Sequence, residues 1–256
     1  MSIDELAATP RLLVALDFDG TLAPLVDEPM SARMIPEAAE AVAALVAAPR
    51  TTVAFVSGRT LDDLRIIAEH DDRSPILLAA SHGAQWWHPS GAIDVDTRGS
   101  DRDDVALRDE LRAAAEAIAG EVDGAWIEPK AFGFGVHTRR AAPAPAAEVH
   151  ERVDALVAAR APRWRRRVGH SITEYAFRDE GKDTAVARLR SLTDATGVLF
   201  AGDDLTDEDA LRSLGPGDVG IRVGAGETAA SVRVADEAEL AAVLGGLARR
   251  RAAVQE

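Results

Sequence analysis

Leu12-Leu13-Val14-Ala15-Leu16-Asp17-Phe18-Asp19-Gly20-Thr21-Leu22-Ala23-Pro24 decides how the rest of the chain is read. Its first five residues form an uninterrupted apolar run, as for a strand buried on both faces of a parallel sheet. In an extended chain residues i and i+2 point the same way, so Asp17 and Asp19 begin on one side with Phe18 opposite. Gly20 then allows a sharp turn or the close approach of a ligand. Two carboxylates at the end of a buried strand are electrostatically costly unless a cation neutralises them.

Working outward, the same pattern repeats. An alanine-rich helix from Pro36 to about Ala48 precedes a buried strand, Thr52 to Val56, which ends in Ser57-Gly58-Arg59. Thr60 or Asp62 caps the next helix, and Ile76 to Ala80 forms a third strand before Ser81-His82-Gly83. From Lys182 the alternation resumes: a helix to Thr193, a strand over Gly197 to Ala201, a helix to Leu214, a strand over Asp218 to Val223 and a closing helix. Strands alternating with helices predict an α/β core, a Rossmann-like doubly wound parallel sheet. The middle differs. Gln85 to Asp96 reads as a hairpin, and two helices with antiparallel-looking strands follow up to Phe177. The predicted organisation is a core of residues 1–83 and 178–256, with an inserted α+β cap over 84–177.

Composition narrows the partners. With 256 residues and 47% hydrophobic content the chain suits one large domain or two small ones. No apolar run of about 20 residues could span a bilayer. The start, MSIDELAATPR, lacks an apolar signal core. The absence of cysteine excludes disulfides and thiolate metal sites, and a cytoplasmic location is expected. A net charge of −14 argues against nucleic-acid binding and suits metal cations. Any phosphate pocket must therefore be made positive locally.

A second acidic cluster, Asp203, Asp204, Asp207, Glu208 and Asp209, also follows a buried strand. Helix capping by Thr206, with Asp209 in a capping box, accounts for the last three acids. It leaves Asp203 and Asp204 unexplained. Hard oxygen donors of this kind favour Mg²⁺, and the carboxyl edge of a parallel sheet is where open α/β folds place ligands. Ser57 and Gly58 offer a hydroxyl and an unhindered amide. Lys182 begins a helix, where its charge opposes the dipole, which suggests another job.

Taken in order, DFDGT, VSG, the lone Lys182 and GDDLTDED resemble the four signature motifs of the haloacid dehalogenase superfamily of phosphatases. That resemblance implies Asp17 as nucleophile, Asp19 as general acid and base, and Lys182 beside the phosphoryl group with Thr21, Ser57, Gly58 and Arg59. It implies Mg²⁺ on Asp17, the Asp19 carbonyl and Asp203, with Asp204 or Asp207 in support. More narrowly, GDDLTDED, SGR, SHGAQ and IEPKAFGFGVHTR look like the trehalose-6-phosphate phosphatase family. The positions matching that family's sugar-binding residues are Glu128, Lys130, His137, Arg139 and Glu174, with His82 at the core–cap junction. Alternation over Phe132 to Arg139 agrees, putting Phe132, Phe134 and Val136 on one face and Gly133, Gly135, His137 and Arg139 on the other.

The implied reaction is Mg²⁺-dependent hydrolysis of trehalose 6-phosphate through an aspartyl-phosphate. The implied partner is a small sugar phosphate, with functional coupling to a sugar-phosphate synthase and no membrane or nucleic acid. The sequence departs from the family before Lys182, where Glu174-Tyr-Ala-Phe-Arg178 lacks a proline, and at Thr138, where a tyrosine is usual. These changes keep open another sugar or pseudo-disaccharide phosphate as substrate. A non-catalytic sugar-phosphate-binding subunit is the remaining alternative.

Overall fold

A computed structural model describes residues 1–90, 101–169 and 171–253. They divide into two compact units, one comprising Met1–Ile93 and Glu180–Glu256 and the other Asp94–Asp179. Among the described residues no helix is long and apolar enough to cross a membrane.

The first unit is built on a seven-stranded sheet. β1 (Leu12–Leu16) is fully buried and central, paired in parallel with β2 (Thr51–Val56) on one side and β9 (Gly197–Gly202) on the other. β3 (Leu77–Ala80) extends the sheet beyond β2; β10 (Val219–Val223) and β11 (Val232–Val234) extend it beyond β9. Alternate residues serve opposite layers. Leu12, Val14 and Leu16 join a cluster with α1 (Ile3–Ala7), α2 (Pro36–Ala47) and α8 (Glu237–Ala253). On the other face β1 and β2 pack against α6 (Lys182–Thr193), and α7 (Asp207–Ser213) lies on β9. Burial on both faces is why β1 reads as a continuous apolar run. Thr60 caps α3 (Leu61–Ile67), its hydroxyl accepting from the Asp63 amide at 3.2 Å.

One element departs from the sequence reading. β4 (Gln85–Trp87), predicted as the opening of a cap hairpin, pairs antiparallel with β3 and closes the edge of the core sheet. Trp86 is 2% exposed and donates from Nε1 to the Gly83 carbonyl at 2.6 Å, so its indole is core. The rest of that predicted hairpin, from residue 91 to Asp96, lies outside the described residues.

The second unit is a four-stranded antiparallel sheet in the order β5 (Trp126–Lys130), β6 (Gly133–His137), β8 (Ile172–Ala176), β7 (Arg165–Gly169). Phe134, Val136 and Tyr175 pack with Leu111, Ala115, Val149 and Val153 of α4 (Asp101–Ala119) and α5 (Pro143–Arg160). The alternate residues of β5, β6 and β8 form the other face. Gly133 is required there: a Cβ would fall 1.8 Å from the Tyr175 carbonyl oxygen.

Candidate active site

Sheet order runs outward in both directions from β1 and β9, so the chain reverses its winding between them. Ligands in open α/β folds bind outside the carboxyl ends at such a point. Asp17 is the first residue after β1, and its amide donates to the Ala201 carbonyl at 2.9 Å. Asp203 is the first after β9. Two acids 186 positions apart in sequence are thereby set side by side at one sheet edge.

Asp17, Asp203 and Asp207 bring carboxylate oxygens within 4.8 Å of one another. Lys182 Nζ lies 2.6 Å from Asp17 Oδ1 and 2.6 Å from Asp207 Oδ1. The lysine is buried, as are Asp17 and Asp207. Thr21 Oγ1 lies 3.3 Å from Asp17 Oδ2 and 3.3 Å from Asp203 Oδ1. Gly20, with φ of 74°, leaves the space that Asp203 fills; a Cβ there would lie 2.2 Å from Asp203 Oδ2.

The electrostatics follow from burial. Desolvation pushes the Asp17 carboxyl well above the ordinary range, against the pull of Lys182, and the nearby Asp207 and Asp203 add to the rise. Desolvation, then Asp207, pushes Asp203 up to about 7. Burial alone would lower the Lys182 ammonium, but Asp17 and Asp207 outweigh it and hold the group charged. Three clustered carboxylates against one ammonium leave excess negative charge in a confined space, and every donor is oxygen. This set fits a hard divalent cation such as Mg²⁺.

Asp207 does more than begin a helix. Its Oδ2 accepts from the amides of Asp203, at 3.2 Å, and Asp204, at 3.0 Å, folding the acidic loop around one carboxylate. Gly202 permits this, since a Cβ there would lie 2.2 Å from Asp207 Cγ. The capping box predicted at Thr206 is absent: Thr206 has helical φ and ψ and its side chain makes no cap hydrogen bond. Asp204 lends its amide to Asp207 and its carbonyl to Arg222, at 2.9 Å, and adds no carboxylate to the cluster. Glu208 is structural, accepting from Arg222 and from the Ala229 amide.

Asp19 is held differently. Arg59 donates from Nε to Oδ2 at 2.8 Å and from Nη2 to Oδ1 at 2.6 Å. Ser57 is buried, and its Oγ accepts from the Arg59 amide at 3.2 Å. Gly58 sits against the His82 ring, where a Cβ would come within 2.8 Å of Cε1 and Nε2. His82 and its neighbour Ser81 both have positive φ, at 57° and 48°, a strained pair that places the ring.

The second unit gathers its own polar group. Lys130 Nζ lies 3.0 Å from Glu128 Oε1 and 3.2 Å from Glu174 Oε1. His137 Nε2 lies 2.7 Å from Glu128 Oε2. Burial raises the Glu128 carboxyl, but His137 and Lys130 outweigh it and bring it down to about 2. Glu128 and Glu174 both pair in register with Gly135, so the gap over that glycine is where Lys130 spans between them. Arg139 places its guanidinium 5.4 Å from the Trp126 ring centroid.

Two participants were not anticipated. Trp126 stacks on His137 at 4.6 Å with planes within 1°, fixing the imidazole. Arg167, on β7, is 8% exposed and pairs in register with Glu174. Alternation along Arg165-Arg166-Arg167 was the available signal, since it sets Arg166 apart to meet Asp154.

The profile of the trehalose-phosphatase family matches residues 15–241. The chain is 32% identical over 252 residues to a trehalose-phosphate phosphatase of Mycobacterium marinum, covering 93% of this chain and 62% of that protein. It is 32% identical over 250 residues to a bifunctional trehalose-6-phosphate synthase/phosphatase of Thermoproteus tenax, covering 95% of this chain and 33% of that one. Eight of the curated relatives it matches are longer, and the chain spans from 16% to 63% of their length. In fold it is similar to the C-terminal domain of the Candida albicans trehalose-6-phosphate phosphatase, with a TM-score of 0.83 at 20% identity over 96% of this chain and 95% of that one.

Proposed function

Because the chain belongs to the trehalose-phosphatase family, we propose that it hydrolyses trehalose 6-phosphate to trehalose and phosphate, with an aspartyl-phosphate on Asp17 as intermediate. The observation that carries this reading is the buried meeting of Asp17, Asp203 and Asp207 with Lys182 at the switch point of the sheet.

In the first step a carboxylate oxygen of Asp17 attacks phosphorus, and the bond from phosphorus to the sugar oxygen breaks. The departing alkoxide is a poor leaving group, so Asp19 supplies its proton. In the second step the Asp19 carboxylate takes a proton from water as that water attacks phosphorus, and the bond to Asp17 breaks, restoring both acids. Lys182 neutralises charge on the phosphoryl oxygens. Its two carboxylate contacts fix the ammonium, so little reorganisation is needed. Ser57 and Gly58 would complete the phosphoryl grip. Asp17, Asp203, Asp207 and the Asp19 carbonyl would hold Mg²⁺, which supplies further neutralisation of phosphoryl charge. Arg59 takes one lone pair on each Asp19 oxygen, which orients the carboxyl and leaves the other lone pairs for the proton.

Glu128, Lys130, His137 and Glu174 would read the sugar hydroxyls. Carboxylate acceptors beside ammonium and imidazole donors suit groups that both donate and accept. The T. tenax relative, named as joining synthase and phosphatase, supports functional coupling to a sugar-phosphate synthase.

One observation favours a second reading, another sugar or pseudo-disaccharide phosphate. Thr138 stands where the family has tyrosine, and it is buried with its hydroxyl 2.9 Å from His150 Nε2, so it offers nothing to a ligand. Phosphate release from trehalose 6-phosphate, glucose 6-phosphate, sucrose 6-phosphate and glucosyl-3-phosphoglycerate, with Mg²⁺ and with chelator, tests both. Chelator-sensitive release strongest with trehalose 6-phosphate is expected. Preference for another member moves the substrate, and release from none overturns the catalytic reading.

A further inference from the structure

At the opposite edge of the core sheet, where β1, β2 and β9 begin, the surface opens into a cavity of about 620 Å³. It lies about 16 Å from the catalytic carboxylates, the length of a five-residue strand. Arg11, Arg50, Thr51, Thr52, Thr193 and Thr196 contribute to its lining.

The charge there runs against the chain as a whole, which carries −14. Arg50 is exposed, with φ of 48°, and its guanidinium makes no hydrogen bond or ion pair among the described residues. Among the described residues the Arg11 guanidinium meets only Asp194, donating from Nε to its carbonyl at 2.7 Å with a carboxylate oxygen 4.0 Å from Nη2. Behind the wall lies Arg251, which is 4% exposed. Its guanidinium donates to the Ala7, Thr9, Pro49 and Arg50 carbonyls and to Thr51 Oγ1. Every acceptor is neutral, so a buried positive charge stands without a carboxylate partner among the described residues. Such a charge is costly and attracts an anion to the nearest water-accessible space.

We propose that this cavity binds a small phosphate ester, with Arg11 and Arg50 gripping the phosphoryl group above the fixed charge of Arg251. Arginine forks match phosphate oxygens with paired charge-assisted donors. The volume leaves room for an ester's organic group beside the phosphoryl group, since it falls within the roughly 300–1,000 Å³ typical of metabolite pockets.

Amide chemical shifts of the full chain, with Mg²⁺ present, test this with two probes, inorganic phosphate and adenosine monophosphate. Both should shift the amides of Arg11, Arg50, Thr52 and Thr196, the ester saturating at lower concentration. Arg50→Asn keeps a residue tolerant of positive φ and removes the charge. It should weaken that set about tenfold, leaving shifts near Lys182 and the turnover without added ligand unchanged. Arg11→Gln gives the same reading independently. The proposal is overturned if neither probe moves the cavity amides at concentrations saturating the Lys182 site, or if both variants retain the wild-type response. Binding of inorganic phosphate without the ester overturns the ester assignment.

Discussion

Arg59 occupies both carboxylate oxygens of Asp19 through two hydrogen bonds, Nε to Oδ2 at 2.8 Å and Nη2 to Oδ1 at 2.6 Å. The two residues come from the carboxyl ends of neighbouring strands, and the pair ties the loop after β1 to the loop after β2. Asp19 is therefore aimed by a side chain from the neighbouring strand's end.

Arg59→Met should lower turnover of a sugar phosphate by about 10- to 100-fold, because Asp19 loses its orientation as proton donor. An aryl phosphate, whose leaving group departs without a proton, should lose far less. Steady-state kinetics on both substrates decides, and an equal loss on the two would show that Arg59 acts elsewhere.

Lys182→Met should abolish turnover and also destabilise the protein by about 3–5 kcal/mol, the usual cost of leaving buried charges without their partner. Asp17→Asn should abolish turnover while melting no lower than the wild type, because it removes one of three crowded carboxylates. Chemical unfolding with matched activity assays separates the two. A destabilised Asp17→Asn would mean that Asp17 holds the fold together rather than straining it.

The contrast also shows what could be read in the sequence. Asp17 and Asp19 follow an unmistakable apolar run and Lys182 opens a helix just after Gly181, so their placement followed from the pattern. The role of Asp207 did not, because helix-terminal acids look alike whether they cap, complement a dipole or turn back. Here the side chain turns back onto the Asp203 and Asp204 amides and reaches Lys182. Alternation within β7 separates Arg167 from Arg166, but the pairing of Arg167 with Glu174 is set by cross-strand register, which periodicity within one strand does not encode. β4 was assigned to the wrong sheet because three residues with two tryptophans suit either edge.

Glu128→Ala should weaken turnover of the sugar phosphate and spare small aryl phosphates, since Glu128 meets only Lys130 and His137 in the interactions described above. Trp126→Ala should act in the same direction through His137, whose ring it stacks, with the loss in KM rather than kcat. Equal losses on both substrate types would assign these residues to folding.

Glu128 also makes acid stability predictable. Its folded carboxyl titrates at about 2 against an ordinary 4.5. A depressed acid stabilises fully above its unfolded value and loses that contribution as pH falls through the folded one. The wild type should thus lose stability relative to Glu128→Gln between about pH 4.5 and pH 2. Melting curves that stay parallel across that window would remove the ion-pair cluster as the cause.

Asp203 carries the opposite sign. Burial and the neighbouring Asp207 raise it from 3.8 to about 7, so the folded, metal-free protein binds this proton more tightly than the unfolded chain. Metal-free stability should therefore fall as pH rises from about 4 toward 7, and level off above it. A cation needs the ionised carboxylate and competes with that proton, so Mg²⁺ affinity should rise over the same range. The increase in melting temperature on adding Mg²⁺ should be larger at pH 8 than at pH 6. Replacing Asp203 by Asn removes the titrating group, so it should weaken metal binding at both pH values and flatten the difference between them. An identical Mg²⁺ shift at pH 6 and pH 8 in the wild type would place the cation away from Asp203, and with it the assignment of this sheet edge as the metal site would fall.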